Sequence, residues 1–178
     1  KHFPGLGRAD VDPHFHLPKI NIGLEELERV NFPPFAAAIE EGVCGIMTSH
    51  AIYPALDPEK PATLSPMVLT KVLRERMGFR GLTITDDLEM GAIAEDWSVA
   101  EGALTSFQAG ADILLICKDQ SHVRESLDLM RQSLSEGTLS RERLAQSLER
   151  ITRIKASFLG HRQDISLAGV REYFRRSA

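Results

Sequence analysis

The feature that most constrains the fold is a repeat of short apolar runs, each followed by a helical pattern. The runs cover 44–49, 82–85 and 112–117, and their starts lie roughly 30 to 40 residues apart. They are nearly continuous in apolar residues, which is typical of parallel strands covered on both faces. This spacing suits successive βα units. The sequence therefore predicts an α/β protein with a parallel sheet.

Capping residues predict where the helices of these units begin and end. Starts are predicted at Ser65 (before Pro66), Ser98 (with Glu101 as a capping box), Ser121 and Ser140, and ends at Gly78, Gly110 and Gly160. Segments 24–30 and 34–41 also have helical patterns, and we expect Pro33 and Pro34 to separate them. Segment 2–18 is expected to be a loop.

The order of elements indicates part of a barrel. A complete (β/α)8 TIM barrel needs about 250 residues, whereas this chain has 178. We therefore expect the C-terminal half of a barrel over 1–160, followed by an amphipathic tail over 161–178. The chain opens inside a motif without an initiator Met, so we interpret it as a fragment. The missing N-terminal half of the barrel is then its expected structural partner.

The composition of the chain argues against some classes of binding partner. A net charge of −4 and a pI near 5.9 argue against nucleic acid or an anionic membrane surface. No apolar run reaches the roughly 18 residues of a membrane span. Cys44 and Cys117 form no CxxC pair and are expected to be buried reduced thiols. Reduced thiols suit a cytoplasmic enzyme, which is the location we expect.

Polar residues follow each predicted strand. They are Lys1, His2, Asp10, Asp12, His14 and His16 in the first loop, His50 in the second, Asp86 and Asp87 in the third, and Lys118 and Asp119 in the fourth. In a barrel these loops converge on one face, where substrates bind. The adjacent carboxylates Asp86 and Asp87 have two interpretations from the residues alone. They are either catalytic groups, or a helix cap and a salt-bridge partner.

The motifs resemble glycoside hydrolase family 3, and in particular its β-N-acetylhexosaminidase branch. They are Lys1-His2-Phe3-Pro4-Gly5, Asp12-Pro13-His14, Met47-Thr48-Ser49-His50-Ala51-Ile52-Tyr53-Pro54-Ala55-Leu56-Asp57, Val72-Leu73-Arg74-Glu75 and Gly81-Leu82-Thr83-Ile84-Thr85-Asp86-Asp87-Leu88-Glu89-Met90. Their order and spacing both match, and the resemblance runs from residue 1 to about 160.

The resemblance implies a retaining glycosidase on a (β/α)8 barrel. Asp86 matches the nucleophile, which forms a covalent glycosyl-enzyme, and Asp87 would support it. His14 matches the acid/base and Asp12 its carboxylate partner. Imidazole titrates near neutral pH, and the partner fixes its tautomer.

The resemblance also implies a sugar-binding set. Lys1 and His2 match residues that hold sugar hydroxyls, although a strand-end salt bridge is a rival for Lys1. His50 is expected to bind substrate or to make a structural hydrogen bond. Met90 is expected to line the pocket or to pack in the core.

The expected activity is removal of terminal β-N-acetylglucosamine from peptidoglycan-derived or related glycans, with no metal or organic cofactor. Two positions depart from the family pattern. Leu6 replaces a glycine-flanked histidine, and Pro13 replaces a serine in the acid/base loop.

Three alternatives remain open. The first is a metal-dependent TIM-barrel hydrolase that uses His14, His16, His50 and Asp86 as ligands. The second is a non-catalytic, sugar-binding half-barrel. The third lies within the family: a phosphorylase, because a neutral imidazole repels an anionic acceptor less than a carboxylate does.

Overall fold

The computed structural model describes residues 1–159 and 166–176, and its strands follow the predicted order. The strands are β1 (Gly45–Met47), β2 (Ile52–Tyr53), β3 (Asp57–Pro61), β4 (Leu82–Asp87) and β5 (Ile113–Leu115). Strands β1, β4 and β5 form a parallel sheet in that order. Phe3 extends this sheet by a parallel bridge to Thr48, beyond β1. The predicted parallel α/β arrangement is therefore confirmed.

Helices cover this sheet. The α-helices are α1 (Leu24–Glu26), α2 (Phe32–Glu40), α3 (Gly91–Ala94), α4 (Val99–Ala109), α5 (Gln120–Glu136), α6 (Arg141–Leu159) and α7 (Leu167–Arg176). A π-helical segment, Leu27–Asn31, joins α1 to α2. A 3₁₀ turn, Ala62–Leu64, and a second π-helical segment, Met67–Arg76, lie between β3 and β4.

The predicted helix caps are present at some helices and absent at others. The Ser98 capping box is present as predicted. The predicted cap at Ser121 is wrong by two residues, because Asp119 accepts the Ser121 amide at 2.8 Å and caps α5, which begins at Gln120. The predicted break at Pro33 and Pro34 is also wrong. Helical backbone runs without interruption from Leu24 through the π-helical turn Leu27–Asn31 into α2, and both prolines follow that wider turn.

The main core lies between the sheet and the helices over 24–40 and 67–76. Phe3 is fully buried, and its ring packs on Phe32 at 6.1 Å and edge-on to Phe35 at 5.0 Å. A second, smaller cluster includes Leu88 and Ile93 and lies beneath α3. Burial of each such side chain contributes about 1.5–3 kcal/mol, so this cluster anchors α3 at the carboxyl end of β4.

Some expectations about the periphery do not hold. Cys44 and Cys117 are free but exposed, because β1 and β5 are shorter than the apolar runs and both thiols lie outside these strands.

Over the described ranges, no helix has the length and apolar character needed to cross a bilayer. The predicted end at Gly160 and residues 161–165 and 177–178 of the tail lie outside the described residues. The described part of the tail forms α7, and the division into barrel and tail stays a prediction.

Candidate active site

A register shift marks the carboxyl end of β4. The parallel pairs Ile84–Ile113 and Asp87–Leu115 leave two residues of β4 opposite one residue of β5. The Oγ1 of Thr85 accepts the Leu115 amide at 2.9 Å within this irregular stretch. Irregular pairing of this kind re-aims side chains at barrel rims. Asp86 therefore leaves the strand from a bulged position rather than from a regular ladder.

The two carboxylate oxygens of Asp86 have different partners. Oδ1 accepts the Asp87 amide at 2.9 Å, and Oδ2 lies 3.2 Å from Nε2 of His2. Desolvation by burial lowers the pKa of His2, although the charge on Asp86 opposes this shift. A neutral His2 with its proton on Nε2 fits this contact. The hydrogen bond from the Asp87 amide and the contact with His2 orient the Asp86 carboxylate and leave space beside it.

Asp87 has a different set of contacts. Its Oδ1 accepts the Glu89 amide at 3.1 Å, and its carbonyl oxygen accepts the Met90 amide at 3.1 Å. These bonds close the turn that connects β4 to α3. Asp87 therefore closes the turn but caps no helix, because Met90 is the residue before α3 and no side chain caps the first turn of α3.

Asp12 and His14 form a pair in the predicted loop. Oδ1 of Asp12 accepts the His14 amide at 2.9 Å and contacts Nδ1 of the ring at 2.7 Å. The backbone hydrogen bond, followed by the ring contact, lowers the pKa of Asp12. Because a carboxylate only accepts, Nδ1 carries a proton and Nε2 is the atom left to exchange one.

The pair and the strand-end carboxylates line one cleft of about 480 Å³. Its lining consists of Asp12, His14, Phe15, Asp86, Asp87 and Met90, together with Lys118. Pro13 does not prevent this arrangement, since its carbonyl oxygen accepts the Ala92 amide at 3.2 Å. The loop therefore needs an acceptor at position 13, and the missing N–H of proline leaves that contact intact.

The remaining predicted sugar-binding residues are distributed differently. Lys1 and His2 line a second cleft of about 730 Å³, which also includes Leu6. Met90 lines the first cleft, although only 5% of this residue is exposed to solvent. The pair formed by His2 and Asp86 is the contact that joins the two clefts.

His50 is placed beneath the site rather than in it. The residue is 1% exposed; Nε2 donates to the Asp87 carbonyl oxygen at 3.0 Å, and Nδ1 contacts Oγ1 of Thr63 at 2.8 Å. Desolvation by burial lowers the pKa of His50, although the Asp87 carbonyl and the nearby carboxylates oppose this. A neutral ring bonded at both nitrogens favours the structural alternative over direct substrate binding.

The residues of the metal alternative are not brought together. Both nitrogens of His50 are occupied, and Nδ1 of His16 pairs with Glu95 at 3.4 Å. Among residues 1–159 and 166–176, no group of three or more His, Cys, Asp or Glu side chains has an arrangement suited to a metal ion.

Sequence reasoning missed a carboxylate that organises the neighbouring loop. The Glu89 side chain is 5% exposed and accepts the amides of Lys118 and Asp119, at 2.5 and 3.0 Å, and Nδ1 of His122 at 2.8 Å. Burial raises its pKa, but these hydrogen bonds outweigh that effect and lower it. The bond to Glu89 raises the pKa of His122. Nothing local in the sequence signals these partners, which lie about 30 residues away.

Comparison with known proteins gives one consistent result. Residues 1–154 match the family model described as the glycosyl hydrolase family 3 N-terminal domain. Beta-hexosaminidase A of Pseudoalteromonas piscicida is 33% identical over 173 residues, which are 87% of this chain and 29% of that protein. A β-N-acetylglucosaminidase of family 3 from Paenibacillus sp. superposes with a TM-score of 0.89 at 36% identity, covering 94% of this chain and 32% of that one.

A structure named beta-glucoside phosphorylase BglX is also similar, with a TM-score of 0.83 and 31% identity over 92% of this chain and 31% of that one. In each case the chain spans about a third of the length of the protein that it matches.

Proposed function

Since this chain belongs to glycosyl hydrolase family 3, we propose that the protein is a retaining glycosidase that removes terminal β-N-acetylglucosamine from peptidoglycan-derived or related glycans. The observation that carries the proposal is Asp86. Oδ1 of Asp86 accepts the Asp87 amide, Oδ2 contacts Nε2 of His2, and the carboxylate shares a cleft with the pair formed by Asp12 and His14. The names of the similar proteins support β-linked N-acetylhexosamine as the sugar.

The proposed reaction has two steps. In the first, the Asp86 carboxylate attacks the anomeric carbon while the His14 imidazolium gives the Nε2 proton to the leaving oxygen. The glycosidic C–O bond breaks and a covalent glycosyl-enzyme forms. In the second, neutral His14 takes a proton from water, whose oxygen attacks the same carbon and releases Asp86. The Asp12 carboxylate stabilises the imidazolium in both steps.

The other residues hold the substrate in this scheme. We assign Lys1 and His2 to sugar hydroxyls: Lys1 is a charged donor in the second cleft, and His2 lines that cleft while contacting Asp86. His50 acts indirectly, because its bond to the Asp87 carbonyl holds the backbone that carries the nucleophile. A cytoplasmic location and a role in cell-wall turnover complete the proposal.

The test is covalent trapping in the full-length protein. A 2-fluoro or 5-fluoro glycosyl donor slows the second step more than the first, so that the glycosyl-enzyme accumulates. Peptide mapping should then find the label on Asp86. Label on any other residue would remove Asp86 from the nucleophile role.

A phosphorylase is the second candidate, and the similarity to a protein of that name favours it. After proton transfer His14 is neutral, so an incoming phosphate meets less repulsion than it would from a carboxylate. Product analysis decides between them. A sugar 1-phosphate that forms only with inorganic phosphate present indicates phosphorolysis, whereas free sugar at the same rate without phosphate indicates hydrolysis.

A further inference from the structure

We propose that Gly91 is a positioning residue for His14, because the acid/base loop docks on its backbone and the absence of a side chain there makes this docking possible. The inference rests on the proposed function for its kinetic test. It concerns a residue of the turn after β4 that takes no part in the chemistry itself.

Two backbone hydrogen bonds hold the loop. The Gly91 amide donates to the His14 carbonyl oxygen at 3.0 Å, and the Ala92 amide donates to the Pro13 carbonyl oxygen at 3.2 Å. Both amides belong to the first turn of α3, where backbone N–H groups have no partner within the helix. The loop therefore satisfies two donors that need an acceptor, and α3 holds the loop at two consecutive residues.

Glycine is required at position 91 because there is no room for a side chain. A Cβ atom on it would lie 2.3 Å from the carbonyl oxygen of Phe15 and 2.9 Å from the Phe15 Cα. These are backbone atoms, so no side-chain rotation relieves the overlap. Gly91 has no positive φ, which excludes backbone freedom as the reason for glycine. Any side chain at 91 must therefore push the loop away from α3.

The turn on which the loop docks is itself held in place. α3 begins directly after Met90, whose amide donates to the Asp87 carbonyl oxygen, and the side chain of Ile93 packs in the second core cluster. The loop that carries His14 therefore docks on a fixed turn, whereas the contacts of the Asp86 side chain do not involve α3. A third contact, between His16 and Glu95 at 3.4 Å, ties the outer part of the loop to the residue that follows α3.

The consequence is specific to acid catalysis. A displaced loop moves His14 relative to the leaving oxygen but leaves the bonds to Asp86 unchanged. Substrates with good leaving groups need no proton in the first step, so they should tolerate the displacement. Substrates with poor leaving groups should not.

The kinetic test compares Gly91→Ala with Gly23→Ala in the full-length protein. Gly23 has extended backbone angles and nothing within 4 Å of an added Cβ, so it is a matched control. We expect Gly91→Ala to lower kcat/KM for alkyl glycosides by about 10- to 100-fold, and for nitrophenyl glycosides by less than about threefold. Gly23→Ala should change neither.

A second measurement does not depend on activity. Amide hydrogen exchange should be slow at Ala92 in the wild type and in Gly23→Ala, and faster in Gly91→Ala. Equal slowing of both substrate types, or unchanged exchange at Ala92, would overturn the inference. If the wild type cleaves no glycoside, the proposed function fails, while exchange still decides whether the loop docks.

A milder variant covers the case in which Gly91→Ala does not fold. Glu95→Gln removes the carboxylate that contacts Nδ1 of His16 and introduces no overlap. Because this contact is exposed, the substitution should lower kcat/KM for alkyl glycosides by at most about two- to threefold, with no change for nitrophenyl glycosides. Slowing of both substrates to the same extent, or fast exchange of the Ala92 amide in the wild type, would contradict the docking of the loop on α3.

Discussion

Replacement of Asp112 by alanine should lower the free energy of unfolding by about 4 kcal/mol. Asp112 precedes β5, and its carboxylate is fully buried. Oδ2 accepts from Arg74 at 2.6 Å and from the Thr83 amide at 3.0 Å. Oδ1 accepts from Ser147 at 2.6 Å and from Arg150 at 2.9 Å. The residue thus connects β4, β5, α6 and the helical segment before β4 at the end of the sheet opposite the cleft.

The magnitude follows from what alanine leaves behind. Removal of one partner from a buried ion pair costs about 3–5 kcal/mol, and an unsatisfied buried amide such as that of Thr83 costs about 1–3 kcal/mol. The two costs do not add fully. Arg74 keeps a bond to the Phe79 carbonyl oxygen, and the Arg150 side chain is 21% exposed and can be reached by water. About 4 kcal/mol is therefore the central expectation.

The measurement is urea unfolding of the full-length protein, followed by circular dichroism. Asp128→Ala is the matched control, because Asp128 also pairs with an arginine but the two side chains are 74% and 72% exposed. That pair should contribute less than about 0.5 kcal/mol. If Asp112→Ala lowers the free energy of unfolding by less than about 1 kcal/mol, or by no more than Asp128→Ala does, the buried Asp112 carboxylate does not stabilise the fold as argued.

Three further outcomes are expected. His14→Ala should lower kcat/KM far more for poor leaving groups than for nitrophenyl glycosides, and equal slowing would remove His14 from the acid role. Because the pKa of His50 is lowered in the folded protein, this histidine takes up a proton in the unfolded chain before it does in the folded protein as the pH falls below 6.5. The free energy of unfolding should therefore decrease in that range by at most about 1.4 kcal/mol per pH unit. Urea midpoints should show a flatter pH dependence in His50→Gln, and an unchanged slope would contradict this. Glu89→Gln should speed amide exchange at Lys118 and Asp119, and wild-type exchange rates would show that Glu89 does not hold that loop.

The order of the parallel strands and the position of Asp86 at a strand end can be predicted from the amino-acid sequence. Those features depend on local patterns: apolar runs, capping residues and glycines act over a few neighbouring positions. The capping box at Ser98 and the parallel order of β1, β4 and β5 follow from such patterns. The catalytic assignments to Asp86, Asp12 and His14 come from resemblance to the family and stay predictions.

The contacts that hold these groups in place are visible only in the folded protein. The burial of His50, the amides bound by Glu89 and the close approach of Phe15 to Gly91 all join segments that are distant in sequence. A residue type does not reveal which distant backbone will approach it, because that depends on packing of the whole sheet and its helices. Two adjacent aspartates can therefore be predicted to lie at a strand end. The different contacts of Asp86 and Asp87 form only when β4 packs against its neighbours.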